Sequence, residues 1–240
     1  MGELGHFSII VRKNAYVTVD WGDGSPLQTI IGTGERQSPD HDYKSRLPIR
    51  QFEVVITSQE DGTILHYYNG FIDMRTLSVD ASECPLLPSL GASWACQVNV
   101  KGCYGLTEFE CGGENIEEID LTGCCNLETL NLFGAMKLKT LNLTPCPKLQ
   151  SLECGCCFAL TRITLSRDSR LQTLITNSAE DLEKRIRPAE LQFIKQILHK
   201  NGGNIEYTDM ETPEPTKETK KFDKKLLNRL LAKYGPIFWE

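Results

Sequence analysis

An apolar beat of eleven residues runs through the middle of this chain and constrains its fold more than any other feature. It reads Leu127-x-x-Leu130-x-Leu132, Leu138-x-x-Leu141-x-Leu143, Leu149-x-x-Leu152-x-Cys154, Leu160-x-x-Ile163-x-Leu165 and Leu171-x-x-Leu174. Upstream the frame continues through Ile116/Ile119/Leu121, then Leu106/Phe109/Cys111 (one residue short), then Ala95/Val98/Val100. A fixed period means stacked supersecondary units, none of which can bury its apolar face alone. The expectation is a solenoid, which offers extended surface more readily than it builds a deep catalytic pocket.

The cysteines follow the same frame. With the first Leu of each unit as position 1, Cys103, Cys124, Cys146 and Cys157 fall at position 9, and Cys111 and Cys154 at position 6. Ten cysteines in a small secreted protein would suggest disulfides. Cysteines that recur in a repeat frame instead pack as small interior hydrophobes, so buried free thiols are expected. Taking alternate units as columns, position 9 reads Cys103, Cys124, Cys146, Asp168 in one and Glu114, Ala135, Cys157 in the other. That is the pattern of a ladder rising roughly 4.8 Å per coil along one side. Cys154-Gly-Cys156-Cys157 with Cys124-Cys125 is the one metal-like grouping. The frame turns Cys154 and Cys157 inward and leaves Cys125 and Cys156 at corners, so they do not converge. No metal or other cofactor is expected, and Cys125 and Cys156 are the accessible thiols.

Residues 7–58 read as short β-strands. Phe7–Val11 and Ala15–Val19 alternate, the turn Asp20-Trp-Gly-Asp-Gly24-Ser-Pro26 follows, and Leu27–Ile31, His41-Asp-Tyr43 and Gln51–Thr57 complete the set. Val19-Asp-Trp-Gly-Asp-Gly24, His41-Asp-Tyr43 and Phe52-Glu-Val-Val-Ile56 together resemble the PKD-like β-sandwich. Asp20, Asp23 and Asp40 could offer oxygens to calcium, although Asp and Gly in tight turns account for them more simply. From 64 to 94 the repeats begin unevenly, with Met74/Leu77/Val79 as one unit and Leu87/Leu90, broken by Pro85 and Pro88, as a defective one.

Over 95–176 the motif L-x-x-L-x-L-x-x-[N/C] resembles the leucine-rich repeat. The doubled eleven-residue spacing is similar to the 21–22-residue coils of internalin-like bacterial surface proteins, where cysteine can replace the usual asparagine in the turn. These resemblances imply a mainly β chain: a small β-sandwich (1–63), a leucine-rich-repeat β-solenoid (64–176) and C-terminal α-helices (177–240) with a linker at 208–219. They also imply protein or glycan binding at a bacterial cell surface.

Beyond Thr176 the beat stops. Ser178–Arg187 is charged and helical in pattern. Pro188 then opens a helix with Leu191, Ile194, Ile197 and Leu198 on one face and Gly202-Gly203 past its end. Thr208–Thr219 is a Pro/Glu/Thr-rich linker. Phe222, Leu226, Leu227, Leu230, Leu231 and Tyr234 form a helical stripe within a stretch, 217–234, that carries seven Lys/Arg against two acids. The coil at Leu171–Leu174 is expected to leave an open edge, covered by helices over 179–200 and 220–239 from this chain or from a second copy.

Function is read by exclusion and by surface. The 240 residues carry a net charge of −6, which gives no general reason to expect nucleic acid as partner. No window of 18 apolar residues exists to span a membrane, and Met1–Ser8 lacks the pattern of a signal peptide. The compartment expected is extracellular if a leader has been removed and cytoplasmic otherwise. His6, His41, His66 and His199 are scattered, and no nucleophile, zinc or phosphate-loop motif occurs, so an enzyme is not expected. The outward positions 2, 3 and 5 of each unit offer ordered polar rows. Glu108, Glu110, Glu117, Glu118, Asp120, Asn131, Asn142 and Glu153 are the candidate binding residues, with the first five as an acidic patch favouring a basic partner. The chain therefore reads as a non-enzymatic recognition protein. The alternative is an intracellular scaffold whose basic C-terminal helix docks a partner or a second copy.

Overall fold

The structure, a computed structural model, describes residues 4–43, 52–69, 77–93 and 95–208. It is mainly β, with a solenoid of about five turns and two helices near the C-terminal end.

The N-terminal unit is antiparallel. β1 (Leu4–His6) pairs with β6 (Asp40–Asp42). β3 (Tyr16–Asp20) lies between β4 (Gln28–Ile31) and β7 (Val55–Ser58). β2 (Ser8–Val11) lies between β5 (Arg36–Gln37) and β8 (Ile64–Tyr68). Alternation along β2 and β3 sends Ile9, Val11, Val17 and Val19 inward, where they meet Phe7, Trp21, Ile30 and Tyr43. The turn after β3 is held by its aspartates: Gly22 N–H donates to Asp20 Oδ1 (2.9 Å) and Ser25 N–H to Asp23 Oδ1 (3.0 Å). Gly22 is required there, because its φ is +74° and a Cβ would sit 2.4 Å from the Glu53 carbonyl oxygen.

β8 fuses this unit to the solenoid. It is antiparallel to β2 on one edge and parallel to β10 (Ser89–Gly91) on the other, and Ile64 and Tyr67 pack against both cores. From β10 the sheet continues through β12 (Glu108–Glu110), β13 (Thr129–Asn131), β15 (Ser151–Glu153) and β17 (Thr173–Thr176), one parallel strand per coil. The opposite side of the coils carries shorter ladders: β9 (Ser78–Asp80) with β11 (Gln97–Asn99), and β14 (Thr140–Asn142) with β16 (Arg162–Thr164). Between those ladders, 117–121 forms no strand.

The frame predicted from the beat sets the core. Leu127, Leu130, Leu138, Leu141, Leu149, Leu152, Leu160 and Ile163 are all buried, stacked coil on coil. All six frame cysteines are buried, and all ten in the chain are free. The thiols at position 9 bond back to the preceding coil: Cys103 Sγ donates to the Ala81 carbonyl (3.2 Å), Cys124 Sγ to Val100 (3.3 Å) and Cys157 Sγ to Leu132 (3.1 Å). Burial pushes the Cys103 thiol up to about 11 and those of Cys124 and Cys157 up to about 12, so they stay protonated and keep the donor these bonds need. Cys125 is exposed. Cys156 is half-buried in a left-handed turn (φ 56°), with its N–H donated to Asn177 Oδ1 (3.0 Å).

The end of the solenoid differs from the expectation in one respect. Ser178 caps α1 (Ala179–Arg185) by accepting the Asp181 N–H, and Pro188 opens α2 (Pro188–Lys200). Leu182, Ile186, Leu191, Ile194, Ile197 and Leu198 close the core. The helices replace the far-side strand of a last coil and return the chain to β18 (Asn204–Tyr207), which lies parallel on β17 in the register Leu174↔Ile205. The edge at Leu171–Leu174 is therefore already paired, by a strand the sequence reading passed over. β18 fits so closely that a Cβ on Gly203 would meet the Gln172 carbonyl oxygen at 1.9 Å. Thr208 still follows the ladder, its N–H donated to the Thr176 carbonyl (2.9 Å). The rest of the linker, 209–219, and the stripe at 220–239 lie outside the described residues.

Candidate binding face

Seven parallel strands from β8 to β18 bring their outward side chains into two straight rows. Strand pairing places His66, Ser89, Glu108, Thr129, Ser151, Thr173 and Asn204 in one row. The other row holds Tyr68, Gly91, Glu110, Asn131, Glu153, Ile175 and Glu206. Neighbours in each row stand one strand spacing apart, roughly 4.8 Å.

The centre of the second row is the densest part of this face. Glu110 accepts the Ser93 hydroxyl. Asn131 Oδ1 takes the Phe133 N–H (2.9 Å). Glu153, two strands from Glu110, is half-buried, and its carboxyl is raised above the usual glutamate value by burial first and by Glu110 second. Beside it the Phe133 ring rests on Gly155, where a Cβ would come within 3.0 Å of it, and remains 37% exposed.

A second grouping lies at the β8 end. His66 Nδ1 is 2.9 Å from Ser89 Oγ, which donates to Glu108 Oε2 (3.2 Å). Burial, and then Arg36, hold the imidazole below its usual value, so it is neutral near pH 7. Histidine, serine and glutamate thus form a chain, but with the serine in the middle. A nucleophilic triad needs the imidazole between hydroxyl and carboxylate, so that it accepts the proton while the acid orients it. Here Glu108 bonds to the hydroxyl and leaves the imidazole unoriented.

The eight residues predicted from sequence divide between the two sides of the coils. Glu108, Glu110, Asn131 and Glu153 share the face above. Glu117, Glu118 and Asp120 lie beyond the corner at 111–116, and Asn142 is on β14 of the opposite ladder. The five acids expected to form one patch therefore form two. Residues ten apart fall in successive half-coils, which face opposite ways.

Position 5 also proves to have a structural duty. Asn99, Asp120, Asn131 and Asn142 each accept the N–H two residues on, at 2.9–3.2 Å, turning the chain at the corner, and so does Asp80, because β9 pairs Val79 with Val98 and sets that unit two residues later than the Met74/Leu77/Val79 frame. Asp120 and Asn142 are engaged this way, and the Thr122 bonds hold Asp120 below the usual aspartate value. Glu110 and Glu153, one methylene longer, occupy the same position without a corner bond of this kind. His66, Ser89 and Phe133 were missed, although counting the frame one coil back would have aligned Ser89 with Glu108.

Among the described residues no group of three His, Cys, Asp or Glu is placed to hold a metal ion, and no helix is long and apolar enough to cross a membrane. In the N-terminal unit Asp23 spends its second oxygen on His41 Nε2 (2.8 Å), whose ring stacks on Trp21 at 5.1 Å. Comparison with known proteins finds no matching family model, no matching curated protein and no matching solved structure.

Proposed function

We propose that the protein is a non-enzymatic recognition protein that binds a protein or glycan through the outward face of its long sheet. One observation carries this reading: from β12 to β18 the outward rows hold carboxylates, hydroxyls and amides in fixed register, with no lysine or arginine among them and the exposed Phe133 ring at their edge. Flat faces of this kind suit extended ligands better than enclosed small molecules. The leucine-rich-repeat and PKD-like resemblances, and the bacterial surface setting they imply, belong to the same proposal. The order of the His66, Ser89 and Glu108 chain supports binding over catalysis.

The test is a glycan array and an affinity pull-down with the intact chain, each repeated with the triple variant Glu110→Ala, Asn131→Ala, Glu153→Ala. A ligand bound by the wild type and lost by the folded variant supports the face. A ligand retained by the variant moves recognition elsewhere. An intracellular scaffold is the second reading, favoured by ten free cysteines where an extracellular chain would gain from disulfides.

A further inference from the structure

We propose that the basic segment 217–234 docks in cis on the acidic face of the long sheet and covers it. Three observations converge on this occupant. The face carries Glu108, Glu110, Glu128, Glu153 and Glu206 between β12 and β18, uncompensated by any Lys or Arg at the outward positions. The segment carries Lys217, Lys220, Lys221, Lys224, Lys225, Arg229 and Lys233 against Glu218 and Asp223, a net charge of +5 from seven bases less two acids. The chain also leaves the structure in the right place: Thr208 ends the ladder on the edge strand of this same sheet.

Reach and chemistry agree. The nine residues from Thr208 to Lys217 span up to about 30 Å when extended. The four strand spacings from β18 back to β12 total about 19 Å. The face is not uniformly polar, since Ile175 is half-buried within the second row and Phe133 is exposed beside it. In a helix over 220–234, Phe222, Leu226 and Leu230 share one side, with Lys225 and Arg229 along one flank and Lys220 toward the other. Such a helix lays its leucines along Phe133 and Ile175 and its bases on the carboxylates to either side. Glu153, half-buried and two strands from Glu110, is raised by both and is relieved by an incoming cation.

The test uses the full chain, dilute, treated with a water-soluble carbodiimide that joins amines to carboxylates in direct contact. Crosslinks from Lys217–Lys233 in the monomer fraction should concentrate on the five face glutamates, several-fold over Glu83, Glu117 and Glu118, which lie elsewhere. Reversing four bases of the segment alone (Lys220→Glu, Lys221→Glu, Lys224→Glu, Lys225→Glu) leaves every described residue unchanged, and should remove most of the remaining crosslinks to the face. Adding Glu110→Lys, Glu128→Lys and Glu153→Lys to that variant should restore them with the chemistry exchanged. Crosslinks spread over all exposed acids, crosslinks formed only between molecules, or a pattern indifferent to reversal would overturn the proposal. Failure of the ligand screens leaves these crosslinks standing, so the two proposals fail separately.

Discussion

The two sides of the solenoid are written in the same motif and fold differently. On one side β8, β10, β12, β13, β15, β17 and β18 pair without a gap; on the other the ladder breaks into β9–β11 and β14–β16, with 117–121 unpaired between them. The break follows the half-coil Leu106 to Ile116, which is a residue short; the earlier half-coil Leu87 to Ala95 is shorter still, yet β9 and β11 pair across it. The shortened corner contains Gly112 and Gly113, the latter at φ 116°. The long sheet keeps its register across this corner, Phe109 opposite Leu130, so the missing residue is absorbed on the far side. A repeat motif thus specifies which residues face inward, while the spacing between motifs does not by itself decide whether the backbone also forms a ladder, since β9 and β11 pair across the short half-coil from Leu87 to Ala95.

The largest effect that separates the sides is a cavity. Leu130 is fully buried under β13, whereas Ile119, at the same position of the broken unit, is only half-buried. Leu130→Ala should cost about 2–5 kcal/mol in urea unfolding. Ile119→Ala should cost about 1 kcal/mol or less, in proportion to the apolar area it buries. Equal losses would mean that the broken side is packed as tightly as the intact one.

The cysteine column sharpens the same contrast one step down. Cys124 Sγ donates to the Val100 carbonyl from a site closed to solvent. Cys124→Ser should cost roughly 1–3 kcal/mol, because a more polar group is buried against one acceptor. In the native protein a thiol reagent should modify Cys125 quickly and Cys124 only after unfolding. Fast native labelling at Cys124 would place the column at the surface.

The backbone itself can be read by native-state hydrogen exchange. Amides of 118–120 should exchange well before those of 129–131, which sit within the long sheet. Inserting one glycine between Gly112 and Gly113 restores the eleven-residue count and should slow exchange at 118–120. Unchanged exchange there would show that the missing residue does not cause the break.

Inward positions were legible in the sequence because burial imposes a period, and Leu130, Leu141, Leu152 and Ile163 obey it. Position 5 was not. Asn131, Asn142 and Asp120 read as outward polar residues available to a ligand, yet their short side chains spend an oxygen on the corner amide. Only the backbone geometry separates them from Glu110 and Glu153. β18 was passed over because the helices interrupt the beat before Asn204-Ile-Glu-Tyr207 resumes its alternation. The His66, Ser89 and Glu108 chain joins residues of three coils, and only strand register brings them together.

The smallest contrast is in titration, and it has opposite sign on the two sides. Asp120 is held below the usual aspartate value by the Thr122 hydroxyl and N–H, and Glu153 above the usual glutamate value by burial and by Glu110. A depressed carboxyl stabilises the fold above the unfolded value of 3.8, and that contribution is lost as pH falls through the folded one. A raised carboxyl acts the other way. Above its folded value the charge is carried at a cost, which is relieved as pH falls through that value and is gone below the unfolded 4.5. Asp120→Asn keeps the corner acceptor and removes the charge, so it should weaken the protein slightly at pH 7 and make no difference at strongly acid pH. In the variant with the four segment lysines reversed, where the face is free of the segment, Glu153→Gln should strengthen the protein slightly at pH 7 and leave it unchanged below pH 4. Carbon-detected titration of the side-chain carboxyls reads both directions without unfolding. If Glu153 titrates below the ordinary glutamate value in the full chain, a cation already sits on that face, which is the signature expected of the docked basic segment.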